Sequence, residues 1–387
     1  MRKIGILTFF GSDNPGTFFQ AYCLLKALER RLPKDRVEIV NYRVQRAGFT
    51  VSLRPHRRDI YPPNFIEHVR HWRIIRRCYR ECLKFGPTAL VTCDYDRAAA
   101  FLAEQRYDLI VVGSDTILPF LRIHRARGQV PIFWLPPGLR CRKVACAASS
   151  DYTTYDSLDE QTRGKLAESI QAFDLIGIRD EMTRQLMNAL GLEGDGRVEM
   201  VPDPTFTLPI DPVPAAALAE RLGIDRSGPT FLAQLPAGPI PDALIAHLRG
   251  RGFREVSVAG KPSAHYHVYA ILPFEWAGFY RHVDLTLTDR FHGSLFSLRN
   301  GTPVVAMDCE KHRYLPSGLS KTYCLMKEFG YERTHHMNTD RIADVQEAIR
   351  ILDGAVASFD PERAQATAER KAREFNTFLD KVADLLR

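Results

Sequence analysis

At 387 residues the chain is too long for one ordinary core, so two domains are the natural expectation. Its 45% hydrophobic and 26% charged content is that of a soluble globular protein, and no stretch reaches the roughly 20 uninterrupted apolar residues of a membrane-spanning helix. The net charge of +7 is unevenly placed: between Arg54 and Lys84, nine basic residues stand against only the acids Asp59, Glu67 and Glu81.

The chain opens with an apolar run at 4–9. It is short, lacks a small-residue cleavage site and runs into Gly-Ser-Asp-Asn-Pro-Gly, so it predicts a first strand and its turn rather than a leader. A helix is expected over 16–31 and a strand over 37–42. Next comes the basic segment. Ile66, Val69, Trp72, Ile75, Tyr79 and Leu83 recur at helical spacing, with Arg70, Arg73, Arg76, Arg77 and Arg80 between them. This is a basic amphipathic helix. It is either a solvated surface face or a contact for an anionic acceptor or for the inner membrane surface. No nucleic-acid motif accompanies it, and its aromatics fall on the apolar stripe, so nucleic acid is not expected as a partner. A helix at 94–105, strands at 109–112 and 144–148, a helix at 159–172, a strand at 175–178, a helix at 180–190 and a strand at 198–201 complete a βα series.

Residues 208–216 are proline-rich and read as a linker. A second βα series has expected strands at 230–234, 255–258, 266–270, 284–288 and 304–306, and 361–387 reads as one long polar helix. The predicted organisation is an α/β acceptor-binding domain over 1–207, an α/β donor-binding domain over 217–355, and a C-terminal helix over 356–387 that packs back toward the first domain. Two Rossmann-like domains facing a cleft are the architecture of GT-B glycosyltransferases, an analogy of fold alone. The eight cysteines show no CxxC and no zinc spacing, and reduced thiols in a cytoplasmic protein are the expectation. His335-His336 reads as a loop pair. No metal triad and no GxGxxG after a strand is present, so neither metal nor nucleotide cofactor is expected.

Chemistry is expected at the turns that follow strands, where open α/β sheets bind ligands. Asp289-Arg290-Phe291-His292-Gly293, ahead of Ser294, lies between a strand and a helix. Helix amides favour an anion there. Arg290 adds a planar fork, His292 a proton near neutrality, and Gly293 allows close backbone approach. Arg179 follows the strand at 175–178 and needs an anion to offset its desolvation; Asp180 is too local to supply it. Asp115, after Gly113-Ser114, binds sugar hydroxyls, acts as a base or caps a helix. Asp13 and Asn14, after the first strand, offer the same choice. Asp203, between two prolines, reads as a turn former.

Taken together these blocks resemble the polysaccharide pyruvyl transferase family over most of the chain. The matching blocks are Ile4-Gly5-Ile6-Leu7-Thr8-Phe9 with Asn14-Pro15-Gly16 and Gln20-Ala21-Tyr22; Tyr107 through Asp115; Val144 through Ser149; Ile178-Arg179-Asp180; Asp203-Pro204-Thr205; and Thr288 through Gly293, with Ser320-Lys321 at a late position. Two departures stand out. Thr116-Ile117-Leu118 replaces the usual Gln, aliphatic residue and Trp, and Ser150-Asp151 stands where a glycine often ends the serine block. The resemblance implies transfer of the pyruvyl group of phosphoenolpyruvate to a sugar diol of a bacterial surface polysaccharide or its precursor, at the cytoplasmic side, with a ketal formed and phosphate released. It places donor recognition on Arg179, Arg290 and His292. The same turns add Gly293 and Ser294 as expected donor contacts, and Asp13, Asn14, Gln20, Ser114 and Asp115 as expected acceptor contacts. His292 is the expected acid, with Asp13 or Asp115 as base. A GT-B nucleotide-sugar glycosyltransferase is the competing expectation, with Asp308 and Glu310 as candidates for ribose hydroxyls. A saccharide-binding protein with a decayed site is the non-enzymatic one.

Overall fold

In the computed structural model every residue is described except 12–13, 45–64, 116–117, 119–129, 225–226, 258–263 and 269–270, together with the side chains of 65–68. Asp13, Arg54, Arg57, Arg58, Thr116 and Ile117 therefore lie outside the described residues. The chain divides into two compact units. One comprises Met1–Val51, Cys78–Leu208 and Lys371–Arg387; the other comprises Ser52–Arg77 and Pro209–Arg370.

The first unit holds β1 (Lys3–Leu7), α1 (Pro15–Arg31), β2 (Arg36–Ile39) and β3 (Tyr42–Arg43). The helix α2 (Phe65–Cys82) enters it with its last residues. Then follow β4 (Leu90–Val91), α3 (Tyr95–Gln105), β5 (Leu109–Gly113), β6 (Arg142–Ala148), α4 (Glu160–Gln171), β7 (Leu175–Ile178), α5 (Glu181–Met187) and β8 (Val198–Met200). Six strands pair in parallel in the order β2-β1-β5-β6-β7-β8. β5 is buried along its whole length, which is why Leu-Ile-Val-Val reads as an unbroken apolar run: a parallel sheet is covered on both faces. The sheet grows in opposite directions from β1, toward β2 and toward β5. The crevice at the carboxyl ends of β1 and β5 is thus its topological switch point.

The second unit holds α6 (Pro212–Arg221), β9 (Thr230–Gln234), α7 (Pro239–Gly250), β10 (Arg254–Ser257), β11 (Tyr266–His267), α8 (Pro273–Phe279), β12 (Leu285–Thr288), α9 (Phe291–Arg299), β13 (Val304–Asp308), α10 (Lys321–Phe329), β14 (His336–Asn338) and α11 (Val345–Ser358). Its six strands are also parallel, in the order β11-β10-β9-β12-β13-β14, so the switch point lies between β9 and β12. Phe231, Leu244, Leu248, Leu285, Leu287, Val305, Met307 and Leu352 fill the core between that sheet and its helices.

The helix α12 (Pro361–Asp384) begins in the second unit and ends in the first. Its later residues Phe375, Phe378, Leu379 and Val382 are buried, while Lys381 pairs with Glu199 at 2.7 Å and Asp380 with Arg31 at 2.7 Å. Gly177 in β7 makes this packing possible, since a Cβ there would stand 2.7 Å from the ring of Phe378.

Several expectations change. The supposed linker at 208–216 is helical from Pro212, because proline fits a first helical turn and the alanines behind it propagate well; Asp211 caps it. The strand expected at 37–42 is two pieces. Its tail, Tyr42–Arg43, leaves the main sheet to pair with Leu90–Val91. The strand expected at 266–270 spans Tyr266–His267, and 269–270 are not described. His336 is not in a loop: it begins β14, in register with Ala306.

Candidate functional site

In the first unit the polar residues collect at the carboxyl ends of the strands. Thr8 follows β1, Ser114 and Asp115 follow β5, Ser149 to Asp151 follow β6, Arg179 and Asp180 follow β7, and Asp203 lies past β8. Arg179 Nη1 donates to Asp203 Oδ2 at 2.7 Å, with 6% and 0% of the two side chains exposed. The anion that Arg179 required is therefore Asp203. Asp180 instead caps α5, its Oδ1 accepting from the Thr183 amide at 2.9 Å. Asp203 does form a turn as well, since its Oδ1 accepts from the Thr205 amide and hydroxyl at 2.9 and 2.6 Å.

Gln20, on the buried face of α1, was expected to touch an acceptor. It is fully buried, and its amide donates to the Ser114 carbonyl and, at 2.7 Å, to Asp203 Oδ2. It ties the turn after β5 to the Arg179–Asp203 pair. Asn14 caps α1 by accepting from the Gly16 amide at 2.9 Å. Asp115 is half-buried at the switch point and accepts from the Thr17 hydroxyl at 2.9 Å. Thr8 Oγ1, Gln20 Oε1 and Ser114 Oγ are buried with no hydrogen-bond partner among the described residues. Such atoms are costly to leave unsatisfied. Three of them here mark this turn as polar beyond the needs of the fold. Burial pushes the Cys146 thiol up, so it stays neutral and is no nucleophile.

In the second unit Arg290 occupies the residue before α9, in extended backbone, and its own side chain does not cap the helix. The first-turn amides of α9 and the positive end of its dipole therefore face the turn. The Arg290 amide donates to Thr288 Oγ1 at 3.1 Å, and the Ser294 hydroxyl donates to the Arg290 carbonyl at 3.1 Å, so Ser294 braces the turn from inside. His292 is half-buried between Phe291 and Phe296, with ring centroids at 5.2 and 6.1 Å. Gly293 is required by space, because a Cβ would stand 2.7 Å from Thr288 Oγ1 and 3.2 Å from Gln234 Oε1. β9 and β12 meet there, at the switch point of this sheet.

Two constellations around this turn escaped the sequence reading. Arg290 Nε lies 3.0 Å from Asp289 Oδ1, and Arg313 Nη1 lies 3.2 Å from Asp289 Oδ2. Arg313 also donates to Glu310 at 2.9 Å. Asp308 was a candidate for ribose hydroxyls. It is buried, with one oxygen accepting from Thr322 Oγ1 at 2.6 Å and the other 3.0 Å from His336 Nε2. Asp308 thus ties β13 to α10 and β14 and is buried away from solvent.

A family model described as "Polysaccharide pyruvyl transferase" matches residues 14–311. No curated protein sequence matches the chain. Among solved structures, UDP-GlcNAc 2-epimerase from Methanocaldococcus jannaschii is similar at 11% identity and a TM-score of 0.55, over 96% of this chain and 99% of that one. The Neisseria meningitidis UDP-GlcNAc 2-epimerase, bound to UDP-GlcNAc, gives 9% and 0.53 over 100% of both chains. An Anabaena protein in complex with UDP and glucose gives 13% and 0.50 over 100% of this chain and 99% of that one. Identities this low carry the fold alone, and the fold is GT-B. The family match covers most of the chain and includes both charged turns: the chain belongs to the polysaccharide pyruvyl transferase family.

Proposed function

We propose that this protein transfers the pyruvyl group of phosphoenolpyruvate to two hydroxyls of a saccharide, forming a ketal and releasing phosphate. The observation that carries the reading is the turn after β12. It combines a helix start that its cap residue, Arg290, leaves uncapped by its own side chain with His292 as the second residue of the helix, at the switch point of the sheet. Phosphoenolpyruvate is a small polyanion, and this turn has the donors and the field to hold one. Arg290, His292, Gly293 and Ser294 form the donor side of the proposal. Arg179 has its charge engaged by Asp203 within its own unit, so we give it the task of fixing that carboxylate and, through Gln20, the turn after β5. Ser114 and Asp115 on that turn are assigned to the saccharide.

The chemistry balances as follows. A proton from His292 adds to the terminal enol carbon, and positive charge develops at the carbon bearing phosphate. A sugar hydroxyl attacks that carbon and gives up its proton to water. The carbon–oxygen bond to phosphate breaks, the second hydroxyl adds in its place, and its proton leaves with phosphate or reloads His292.

The nucleotide-sugar alternative draws on the same fold; of its two candidates for ribose hydroxyls, Asp308 is buried and bonded to Thr322 and His336, while Glu310 pairs with Arg313 and keeps part of its side chain exposed. Calorimetry with phosphoenolpyruvate and with UDP separates the two. The proposal expects saturable binding of phosphoenolpyruvate that inorganic phosphate displaces. Binding of UDP alone would replace this reading with the alternative.

A further inference from the structure

We infer that Arg313 is a second cationic contact for the donor anion, held beside Arg290 by one shared carboxylate. This rests on the donor reading of the turn after β12 and adds to it a residue from the neighbouring strand.

The placement follows from topology. β12 and β13 are parallel neighbours, with Thr288 in register with Ala306. Asp289 is the first residue past β12. Past β13 the chain makes a short helical turn over Lys311–Arg313, with the Arg313 amide donating to the Glu310 carbonyl at 2.8 Å. That turn folds Arg313 back over the end of β12, where its Nη1 lies 3.2 Å from Asp289 Oδ2 and 3.4 Å from the Asp289 carbonyl. Arg290 takes the other oxygen of the same carboxylate at 3.0 Å.

The Asp289 side chain is 2% exposed, whereas those of Arg290 and Arg313 are 28% and 22% exposed. A guanidinium thus lies within ion-pair distance of each oxygen of this buried carboxylate, and both cations are more exposed than it is. Glu310 Oε2 fixes Arg313 further through its Nε at 2.9 Å. Two oriented forks are what a ligand with both a carboxylate and a phosphate requires, since a planar guanidinium reads either group with two hydrogen bonds. The bland alternative is that Arg313 only neutralises Asp289.

Calorimetry of phosphoenolpyruvate binding to the full chain decides between them. Arg313→Ala should weaken binding about 10- to 100-fold, the range for a charge-assisted contact, as should Arg290→Ala. Arg313→Lys should recover part of the loss and guards against misfolding of the alanine variant. The double variant Asp289→Asn with Arg313→Ala removes the need for a counter-ion. If Arg313 contacts the donor, binding stays weak there. Restoration to the wild-type constant would make Arg313 a counter-ion only and overturn the inference, as would an Arg313→Ala variant that binds normally. Loss in Arg290→Ala alone would leave the donor site standing and remove Arg313 from it. Absence of phosphoenolpyruvate binding in the wild-type protein would remove the donor reading itself, and this inference with it.

Discussion

Arg179 and Asp203 form an ion pair at 2.7 Å that solvent barely reaches. Gln20 and Thr205 hold the same carboxylate from two other directions. A pair buried this way is costly to break from one side, because the survivor is left charged and dry. Arg179→Ala should lower the unfolding free energy by roughly 3–5 kcal/mol. Arg179→Lys should lower it less, since charge is kept while the fork is lost. Chemical denaturation of the three proteins measures this. An alanine variant within 1 kcal/mol of wild type, on the order of a surface substitution, would show that the pair does not hold the turn.

His292 is predicted to act on rate rather than affinity. A positioned proton donor contributes about 10²–10⁴-fold to turnover. His292→Ala should therefore lower kcat by that order while changing KM for phosphoenolpyruvate little. Steady-state kinetics read the split. A raised KM with kcat unchanged would make His292 a phosphate ligand and leave the acid to another group.

The charged turn after β12 was legible because all its parts lie within a few residues. An apolar strand, a turn with Arg and His, a glycine and a helix follow one another directly. Its supports were not legible. Asp203 is 24 residues from Arg179, and Arg313 is 24 residues from Asp289. In each case the partner was chosen by which strand ends lie side by side, a tertiary fact that no spacing encodes. His336 misled for the same reason. A polar stretch around two histidines has no strand pattern, and it is the parallel pairing to β13 that makes it one. Two α/β series were readable from periodicity. The end of the linker was not, because proline marks a helix start as readily as a break.

His335 supplies a pH dependence of stability. It is fully buried against Tyr331 and Phe359, and burial pushes it down from its ordinary 6.5 to about 4. Between those values the unfolded chain binds a proton that the folded protein refuses. Stability should therefore fall as pH drops from 6.5 toward 4, by up to about 3 kcal/mol from this group, and be fully present above 6.5. His335→Phe keeps the aromatic packing and removes the titration. Urea unfolding across that range should show a shallower slope for the variant, and an unchanged slope would contradict the assignment.

The helix α2 is amphipathic, as its sequence suggests. Ile75, Cys78, Tyr79 and Leu83 are buried, while Val69 and Trp72 are half-buried, so the later part of the apolar stripe is packed against the fold. Arg73, Arg76, Arg77 and Arg80 are exposed, and the Arg76 guanidinium lies 4.3 Å from the ring centroid of Trp72. Among the described residues no helix is long and apolar enough to cross a membrane. The exposed arginines give attraction to an anionic lipid surface an electrostatic part of about 1 kcal/mol each, which salt screens. Co-sedimentation with vesicles containing an anionic phospholipid should occur at low salt and vanish at high salt. It should also vanish when Arg73, Arg77 and Arg80 are replaced by glutamate. Wild-type protein that stays in the supernatant at low salt would contradict it.

The central claim is that the turn after β12 holds phosphoenolpyruvate for transfer to a saccharide. The most direct measurement is nuclear magnetic resonance of the protein incubated with carbon-labelled phosphoenolpyruvate and pyranosides bearing neighbouring free hydroxyls. The account predicts a new ketal carbon bonded to a methyl group, appearing in step with an equal amount of inorganic phosphate, and neither signal with Arg290→Ala. Phosphoenolpyruvate left intact across the pyranosides, while a UDP-sugar is consumed under the same conditions, would contradict it.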